Sequence, residues 1–149
     1  MRDIYFDDLV VGYRFTTGGV TLTESEIIDF ALKYDPQFFH IDRESAAASA
    51  FGRLVASGIQ VLALSFRLAI DSGVLEHNLG GNAADEVRWQ KPVVANDTIR
   101  VAGEVIEARP LGSRPDRGVV RIRYTTTNQD GDIVLGFILN HFVSRRPGQ

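Results

Sequence analysis

The stretch from Ser57 to Ile70 reads S-G-I-Q-V-L-A-L-S-F-R-L-A-I, and it decides the fold. Apolar residues occupy nearly every side of a helix drawn over it, so we expect other structure to enclose this helix. Ser57 suits the N-cap position, and Gly58 then opens the first turn. Arg67 and Asp71 interrupt the longer apolar run Leu54–Leu75, which is therefore too polar to span a bilayer.

Strands are predicted on both sides of this helix. Arg14–Leu22 precedes it as a first strand, and the polar segment around Asn78–Gly81 is expected to end the helical part of the chain. Beyond this segment, apolar residues alternate with polar ones and turn signals separate the runs. Four further strands are predicted there: Asp85–Gln90, Thr98–Ala108, Gly118–Asn128 and Asp132–Ser144.

This order of elements predicts an α+β fold in which an antiparallel sheet wraps around one long central helix. That architecture is called the hotdog fold. A single sheet of this kind leaves an edge strand open, and pairing with a second copy of the chain covers it. We therefore expect a homodimer or a dimer of dimers.

Shorter helices are predicted between the first strand and the central helix. Thr23 and Glu26 have the spacing of a capping box, which satisfies the free amides at a helix start. Pro36 ends this first helix at Tyr34 or Asp35. Residues at helical spacing form its expected buried face: Ile27, Phe30, Ala31 and Tyr34. A second, alanine-rich helix is predicted within Asp42–Ala50.

Length and composition exclude several functional classes. The 149 residues fit one domain, residues 1–149, with its own core. The net charge of −3 gives no electrostatic signature for nucleic acid or an anionic membrane as partner. The absence of cysteine excludes disulfides and thiolate chemistry. The acidic N-terminus does not resemble a signal peptide, so we expect a cytoplasmic protein.

Asp35 and His40 are candidates for an acid/base pair. An imidazole titrates near neutral pH, and a carboxylate in an apolar pocket has a pKa shifted toward that range. Two such groups at one site move protons. The alternative is structural: Asp35 caps a helix and His40 is a hydrogen-bonded loop residue. Spacing alone favours this structural interpretation, because an Asp and a His five residues apart are common.

Gly58 is the third candidate. Its backbone N–H lies in the first turn of the central helix, where an amide has no intrahelical acceptor and is suited to stabilising an oxyanion. Alternatively, the glycine simply permits close packing. His77 and His141 have no partners at metal-ligand spacing, so no metal site is predicted. Ser57 lacks the glycine pattern of a nucleophile elbow and is interpreted as a cap or pocket wall.

The block D-P-Q-F-F-H-I-D from Asp35 to Asp42 resembles the hydratase motif D-x-N-P-x-H-x-D of MaoC-like dehydratases, the (R)-specific enoyl-CoA hydratases. In that family an alanine-rich stretch with a Phe follows, then a small-residue segment ending in H-G. Here these are Ala46–Gly52 and Val55–Gly58. Gln90–Asp97 is similar to the P-V-x-x-G-D step, and the resemblance runs from Val20 to Phe142.

The resemblance implies that Asp35 and His40 are the catalytic pair and that Gly58 is the oxyanion donor. It implies reversible addition of water to a trans-2-enoyl-CoA, giving an (R)-3-hydroxyacyl-CoA in fatty acid metabolism. Acyl carrier protein is the alternative carrier. Coenzyme A enters as part of the substrate, and no metal or other cofactor is expected. Four residues are expected to bind the substrate: Gln37, Phe51, Ser57 and Trp89.

The sequence departs from the family pattern in three places. Gln37 and Phe38 replace the motif Asn and its Pro, and Ser57 replaces the His before the glycine. Asn96 replaces the Gly before Asp97, a mild change because Asn also tolerates left-handed geometry. The first two departures bear on the identity of the substrate more than on the reaction. Two other functions remain open: a hotdog acyl-CoA thioesterase and a non-catalytic acyl-CoA-binding module. The absence of Asp and Glu between Gly58 and Ile70 counts against the thioesterase.

Overall fold

The computed structural model describes residues 3–148. Five strands form one antiparallel sheet: β1 (Arg14–Thr21), β2 (Asn78–Trp89), β3 (Thr98–Pro110), β4 (Arg117–Thr127) and β5 (Ile133–Ser144). A short 3₁₀ helix (Phe6–Asp8) and four α-helices accompany it: α1 (Glu24–Tyr34), α2 (Phe38–Ile41), α3 (Arg43–Ala47) and α4 (Gly58–Asp71). The strand order is β1-β3-β4-β5-β2. The α+β hotdog architecture predicted from the sequence is confirmed, with α4 as its long central helix.

The central helix α4 is covered on one side only. Val61 and Leu68 are buried in the core that the helix shares with the sheet, and the Ser65 hydroxyl lies 2.7 Å from that of Thr126 on β4. On the opposite side, Ile59 is 53% exposed and Ile70 is 50% exposed. The expectation that other structure encloses the helix is therefore wrong for a single chain, because the sheet reaches only one side of it.

Helix α1 begins and ends as the sequence indicates. Thr23 and Glu26 form the predicted capping box, and Ile27 and Ala31 are fully buried. Tyr34, however, is 64% exposed, so the prediction that it belongs to the buried face is wrong. It is the last helical residue, and Asp35 already has the non-helical angles φ −155° and ψ 68°.

The segment after α1 contains two short helices rather than one. Helix α2, Phe38–Ile41, was not predicted, because four residues are too few to show a helical period. The alanine-rich helix predicted within Asp42–Ala50 forms only as α3, Arg43–Ala47. The Asp42 carboxylate caps α3 by accepting the N–H groups of Glu44 and Ser45.

Strand β2 begins at Asn78, not at Asp85, so the segment predicted to end the helical part is already sheet. The pairing of β2 with β5 shifts register at three places. Gly80, with φ 135°, lies at the first shift and Glu86, with φ 49°, lies at the third. These bulges break the alternating pattern on which the sequence prediction depends. The other predicted strands are confirmed.

The connection from β2 to β3 is fixed by Asp97. One carboxylate oxygen accepts the Val94 N–H at 2.9 Å, and the other accepts the Gln129 side-chain amide at 2.9 Å. Asn96 takes the left-handed conformation at this turn, with φ 72°. The connection is thereby held beside the start of α4, where the Val93 carbonyl accepts the Ala56 N–H at 2.8 Å. No helix within residues 3–148 is long and apolar enough to cross a membrane.

Candidate active site

A cavity of about 750 Å³ opens where α1 ends, α2 follows and α4 begins. Asp35, His40 and Gly58 all border it, so the structure brings together the three residues proposed from the sequence for catalysis. Most of the remaining wall is aromatic or aliphatic: Tyr34, Phe39, Phe51, Val55, Ala56, Ile59, Val61, Trp89, Pro92, Val93 and Val134. Such a wall suits a ligand with an apolar body and one polar reacting group.

Asp35 occupies the C-cap of α1, where its own N–H donates to the Ala31 carbonyl at 2.8 Å. Both of its carboxylate oxygens accept hydrogen bonds. Oδ1 accepts from Gln37 Nε2 at 2.7 Å, and Oδ2 accepts from the Ser57 hydroxyl at 2.7 Å. Burial raises the pKa of Asp35, but these two bonds and the charge of His40 lower it, and the net pKa lies below the ordinary value. Asp35 is therefore ionised at neutral pH.

His40 lies on α2 and is buried. Its Nδ1 is 2.7 Å from the Val55 carbonyl oxygen. Because a carbonyl oxygen only accepts, Nδ1 carries a proton, and Nε2 is the ring atom that gains or loses one. Nε2 lies 3.3 Å from Oδ2 of Asp35, whose side chain is 19% exposed. We call these two residues the Asp35–His40 pair.

Gly58 is the first residue of α4, and within residues 3–148 its N–H has no hydrogen-bond acceptor. The indole of Trp89 covers the glycine from the β2 side and donates from Nε1 to the Gly58 carbonyl at 2.8 Å. A first-turn amide of this kind carries the partial positive charge of the helix start. It is an available donor on the wall that Asp35 and His40 share.

The four residues expected to bind substrate divide into two groups. Gln37, Phe51 and Trp89 border the cavity. Ser57 does not, because its side chain is fully buried behind the wall and donates to Asp35. Its place is therefore beside the carboxylate and not on the surface open to a substrate.

Sequence reasoning missed several parts of the site. The Val55 carbonyl, which fixes the His40 ring, has no sequence signal because every residue carries a carbonyl. Tyr34 was assigned to the core, yet it borders the cavity. Lys91 was not missed: the sequence makes it either a contact for a phosphorylated ligand at the cavity mouth or a solvated surface charge. It borders the cavity, and its ammonium group pairs with Asp132 at 2.6 Å.

The other two histidines lie elsewhere. His141 on β5 is buried, with Nε2 at 2.7 Å from the Tyr124 hydroxyl, and burial lowers its pKa to about 4. His77 contacts Asp3 at 2.9 Å and stacks on Tyr5. Glu76 joins His77 and Asp3 in a surface cluster whose ligand atoms lie within 4.8 Å of one another. The hydrogen bond to Asp3 and the stacking on Tyr5 hold the His77 ring at this surface.

Comparisons with known proteins identify the family of the chain. Residues 11–128 match the family model described as the MaoC like domain. The chain is 32% identical over 124 residues to the uncharacterized protein YdeM of Bacillus subtilis, covering 83% of this chain and 86% of YdeM. It is 33% identical over 114 residues to 3-hydroxyacyl-thioester dehydratase Z of Mycobacterium tuberculosis, covering 72% of this chain and 71% of that protein.

Among solved structures, the MaoC-like dehydratase from Rhodospirillum rubrum superposes with a TM-score of 0.90 at 36% sequence identity. The match covers 97% of this chain and 99% of that one. The family model spans most of the sequence, including Asp35, His40 and Gly58. The chain therefore belongs to the MaoC-like dehydratase family.

Proposed function

We propose that this protein is a hydratase/dehydratase that adds water reversibly to a trans-2-enoyl-CoA and gives an (R)-3-hydroxyacyl-CoA. One observation carries the proposal. A carboxylate oxygen and an imidazole nitrogen, 3.3 Å apart, border an apolar cavity together with a free helix-start amide. Hydration of a conjugated thioester needs these three parts: a base for water, an acid for carbon and a donor for the thioester oxygen.

The two protons move as follows. Asp35, ionised, takes a proton from a water molecule while the water oxygen bonds to the β-carbon. Protonated His40 gives its Nε2 proton to the α-carbon, and the carbon–carbon double bond becomes single. Transfer of a proton from Asp35 to Nε2 then restores the pair. Because both groups lie at one place on the cavity wall, water and proton add to the same face of the double bond.

The Gly58 amide supports the step between these transfers. As water attacks, negative charge moves onto the thioester oxygen, and the Gly58 N–H donates to it. One preorganised donor of this kind is worth roughly 2.7–4 kcal/mol of transition-state stabilisation. The reaction is neither an oxidation nor a reduction, so we propose that no redox cofactor takes part and that coenzyme A enters only with the substrate.

The thioesterase alternative finds less support in the arrangement of α4. The carboxylate that such an enzyme carries on its central helix is absent between Gly58 and Ile70. The Ser57 hydroxyl is fully buried and donates to a carboxylate, so it is not placed to attack a thioester. Release of free thiol from a saturated acyl-CoA is the measurement that would favour a thioesterase.

We also propose that the protein assembles as a homodimer or a dimer of dimers. The uncovered side of α4 presents a stripe of apolar residues at helical spacing: Ile59, Ala63, Phe66 and Ile70. Among the strands of residues 3–148, β2 pairs only with β5, so its other edge is free there to pair with another strand. A second copy that covers the stripe and adds to this edge removes both exposed features at once.

The function is tested with short, medium, branched and dicarboxylic enoyl-CoAs, by the loss of absorbance of the conjugated thioester. We expect hydration of at least one of them by the wild-type protein. Asp35→Asn and His40→Ala each remove one proton-transfer group, so a loss of roughly 10²–10⁴-fold is expected in each. Unchanged rates in both variants, with the fold intact by circular dichroism, would refute the proposal.

A further inference from the structure

The three-residue segment Val55–Ser57, which precedes α4 and belongs to no helix or strand, holds both members of the Asp35–His40 pair. At its start, the Val55 carbonyl accepts the His40 Nδ1 proton at 2.7 Å. At its end, the Ser57 hydroxyl donates to Oδ2 of Asp35 at 2.7 Å. The segment therefore contacts the imidazole on the side away from the carboxylate, and the carboxylate on the oxygen that faces the imidazole.

Two backbone hydrogen bonds fix this segment in place. The Val55 N–H donates to the Phe39 carbonyl at 3.0 Å, and the Ala56 N–H donates to the Val93 carbonyl at 2.8 Å. The first bond ties the segment to α2, and the second ties it to the connection between β2 and β3. The groups that hold the pair therefore belong to a stretch of chain that is itself anchored on two sides.

The Ser57 hydroxyl has one proton, and the structure directs it to Asp35. Its Oγ accepts the Ile59 N–H at 3.2 Å in the first turn of α4, which uses one of its lone pairs. With the side chain fully buried, no solvent competes for the hydroxyl proton. The bond to Asp35 Oδ2 thus connects the carboxylate to the positive end of the central helix.

We propose that Ser57 is a positioning residue for the hydration reaction, which holds Oδ2 of Asp35 toward Nε2 of His40 and toward the reacting water without touching the substrate. Gln37 holds the other carboxylate oxygen, but it is exposed to solvent, which weakens its bond. Ser57 is the buried donor and fixes the orientation of the carboxylate. The inference rests on the proposed function for its effect on rate, and on the geometry alone for its effect on the titration of Asp35.

The charged and titratable surroundings of Asp35 are few. From α2, His40 lies within ion-pair distance. From α1, Tyr34 borders the same cavity, and from the β2–β3 connection, Lys91 does so while paired with Asp132. Removing Ser57 changes none of these groups, so a changed titration of Asp35 reports the loss of the hydroxyl.

Four variants distinguish the effect of the hydrogen bond from Ser57 to Asp35 from the effect of Ser57 as the N-cap of α4. Ser57→Ala removes the hydroxyl and weakens the N-cap of α4. Ser57→Gly also removes the hydroxyl but costs the cap only a few tenths of a kcal/mol, so it decides the outcome if the alanine variant does not fold. Ser57→Thr keeps the hydroxyl. Ser72→Ala is the matched control, because Ser72 caps the opposite end of the same helix with its hydroxyl on the Ala69 carbonyl.

Two readouts are measured on each protein: the titration of the Asp35 side-chain carbon by ¹³C NMR, assigned with Asp35→Asn, and the pH dependence of kcat/KM on an enoyl-CoA. In Ser57→Ala and Ser57→Gly, we expect the Asp35 midpoint and the acid limb of the profile to move up by roughly one pH unit. We expect kcat to fall roughly tenfold or more with KM changed less than twofold. Ser72→Ala is expected to match the wild type in both readouts, and Ser57→Thr, which keeps the hydroxyl, is expected to keep the wild-type midpoint of the Asp35 titration.

An unshifted Asp35 midpoint in both hydroxyl-free variants would overturn the inference, as would a midpoint in Ser57→Thr that moves as far as it does in Ser57→Ala. A rise in KM with kcat unchanged would instead make Ser57 a substrate contact and would also overturn it. If the wild-type protein hydrates no enoyl-CoA, the proposed function fails, and the Asp35 titration still decides whether Ser57 controls the carboxylate.

Discussion

The indole of Trp89 occupies the space into which a side chain on Gly58 would project. A Cβ built on Gly58 would lie 2.6 Å from Trp89 Nε1 and 2.7 Å from Cε2, closer than side chains approach one another. The same indole donates to the Gly58 carbonyl at 2.8 Å. Position 58 therefore needs glycine for the packing of β2 on the start of α4, apart from any use of its amide.

Gly58→Ala is expected to displace Trp89 and to destabilise the protein by roughly 1–3 kcal/mol, the usual cost of overpacking. Urea denaturation measures this. Gly112→Ala is the control, because a Cβ there meets nothing within 4 Å. When Gly58→Ala is introduced into a Trp89→Ala protein, it should cost much less stability than it does in the wild type, because the indole with which the new Cβ clashes is absent. Strictly additive losses would show that the two residues do not compete for space.

Trp89 also provides a direct test of ligand binding. It is the one tryptophan in the chain, and it borders the cavity. We expect a saturated acyl-CoA, which binds without being hydrated, to change the intrinsic fluorescence in a saturable manner. Trp89→Phe should abolish the change while calorimetry still detects binding. Binding seen by calorimetry without any change in wild-type fluorescence would place the ligand outside this cavity.

Much of the fold follows from local sequence signals. The capping box of Thr23 and Glu26 and the N-cap at Ser57 are each formed by residues within a few positions of one another. The prediction is wrong where long-range pairing forms a strand without an alternating local pattern. The first half of β2 is polar and contains Gly80, and it is a strand only because β5 pairs with it across bulges.

The candidate site, like the fold, can be predicted only in part from local sequence signals. The Asp35–His40 spacing and the glycine at the start of α4 are visible in the sequence, and the family resemblance gives them a meaning. The orientation of each side chain is not visible. His40 is fixed by the Val55 carbonyl, and the Ser57 hydroxyl faces Asp35 rather than the cavity. Both contacts depend on the path of a segment that has no periodic pattern.

His141, which lies outside the candidate active site, is expected to make the stability of the protein depend on pH. Burial lowers its pKa to about 4, against about 6.5 in the unfolded chain. Below pH 6.5 the unfolded state therefore binds a proton that the folded state does not, and stability falls as the pH drops toward 4. The expected loss is about 2 kcal/mol between pH 7 and pH 5.

Urea denaturation of the wild type at pH 7 and pH 5 measures this loss. His141→Gln removes the titrating ring but keeps a polar partner for the Tyr124 hydroxyl, which lies 2.7 Å from Nε2. We expect this variant to be less stable at pH 7 and to lose less stability on acidification. An equal pH dependence in the two proteins would assign the effect to other groups.

If the uncovered side of α4 is the dimer interface, a single charge placed on it is expected to dissociate the dimer. Ile70 lies at the end of the apolar stripe, 50% exposed and outside the cavity lining. Ile70→Asp places a carboxylate where the second copy is proposed to pack, so we expect sedimentation velocity to show a shift from dimer to monomer. Burying an unpaired charge costs several kcal/mol, enough to dissociate an interface of ordinary strength.

Ile133→Asp is the matched control for this experiment, because Ile133 is similarly exposed but lies on β5 and not on α4. It should sediment as the wild type does. If hydration activity also falls in Ile70→Asp while circular dichroism shows the fold intact, the second copy contributes to the cavity. A wild-type monomer, or variants that both remain dimeric, would show that the stripe on α4 is not the dimer interface.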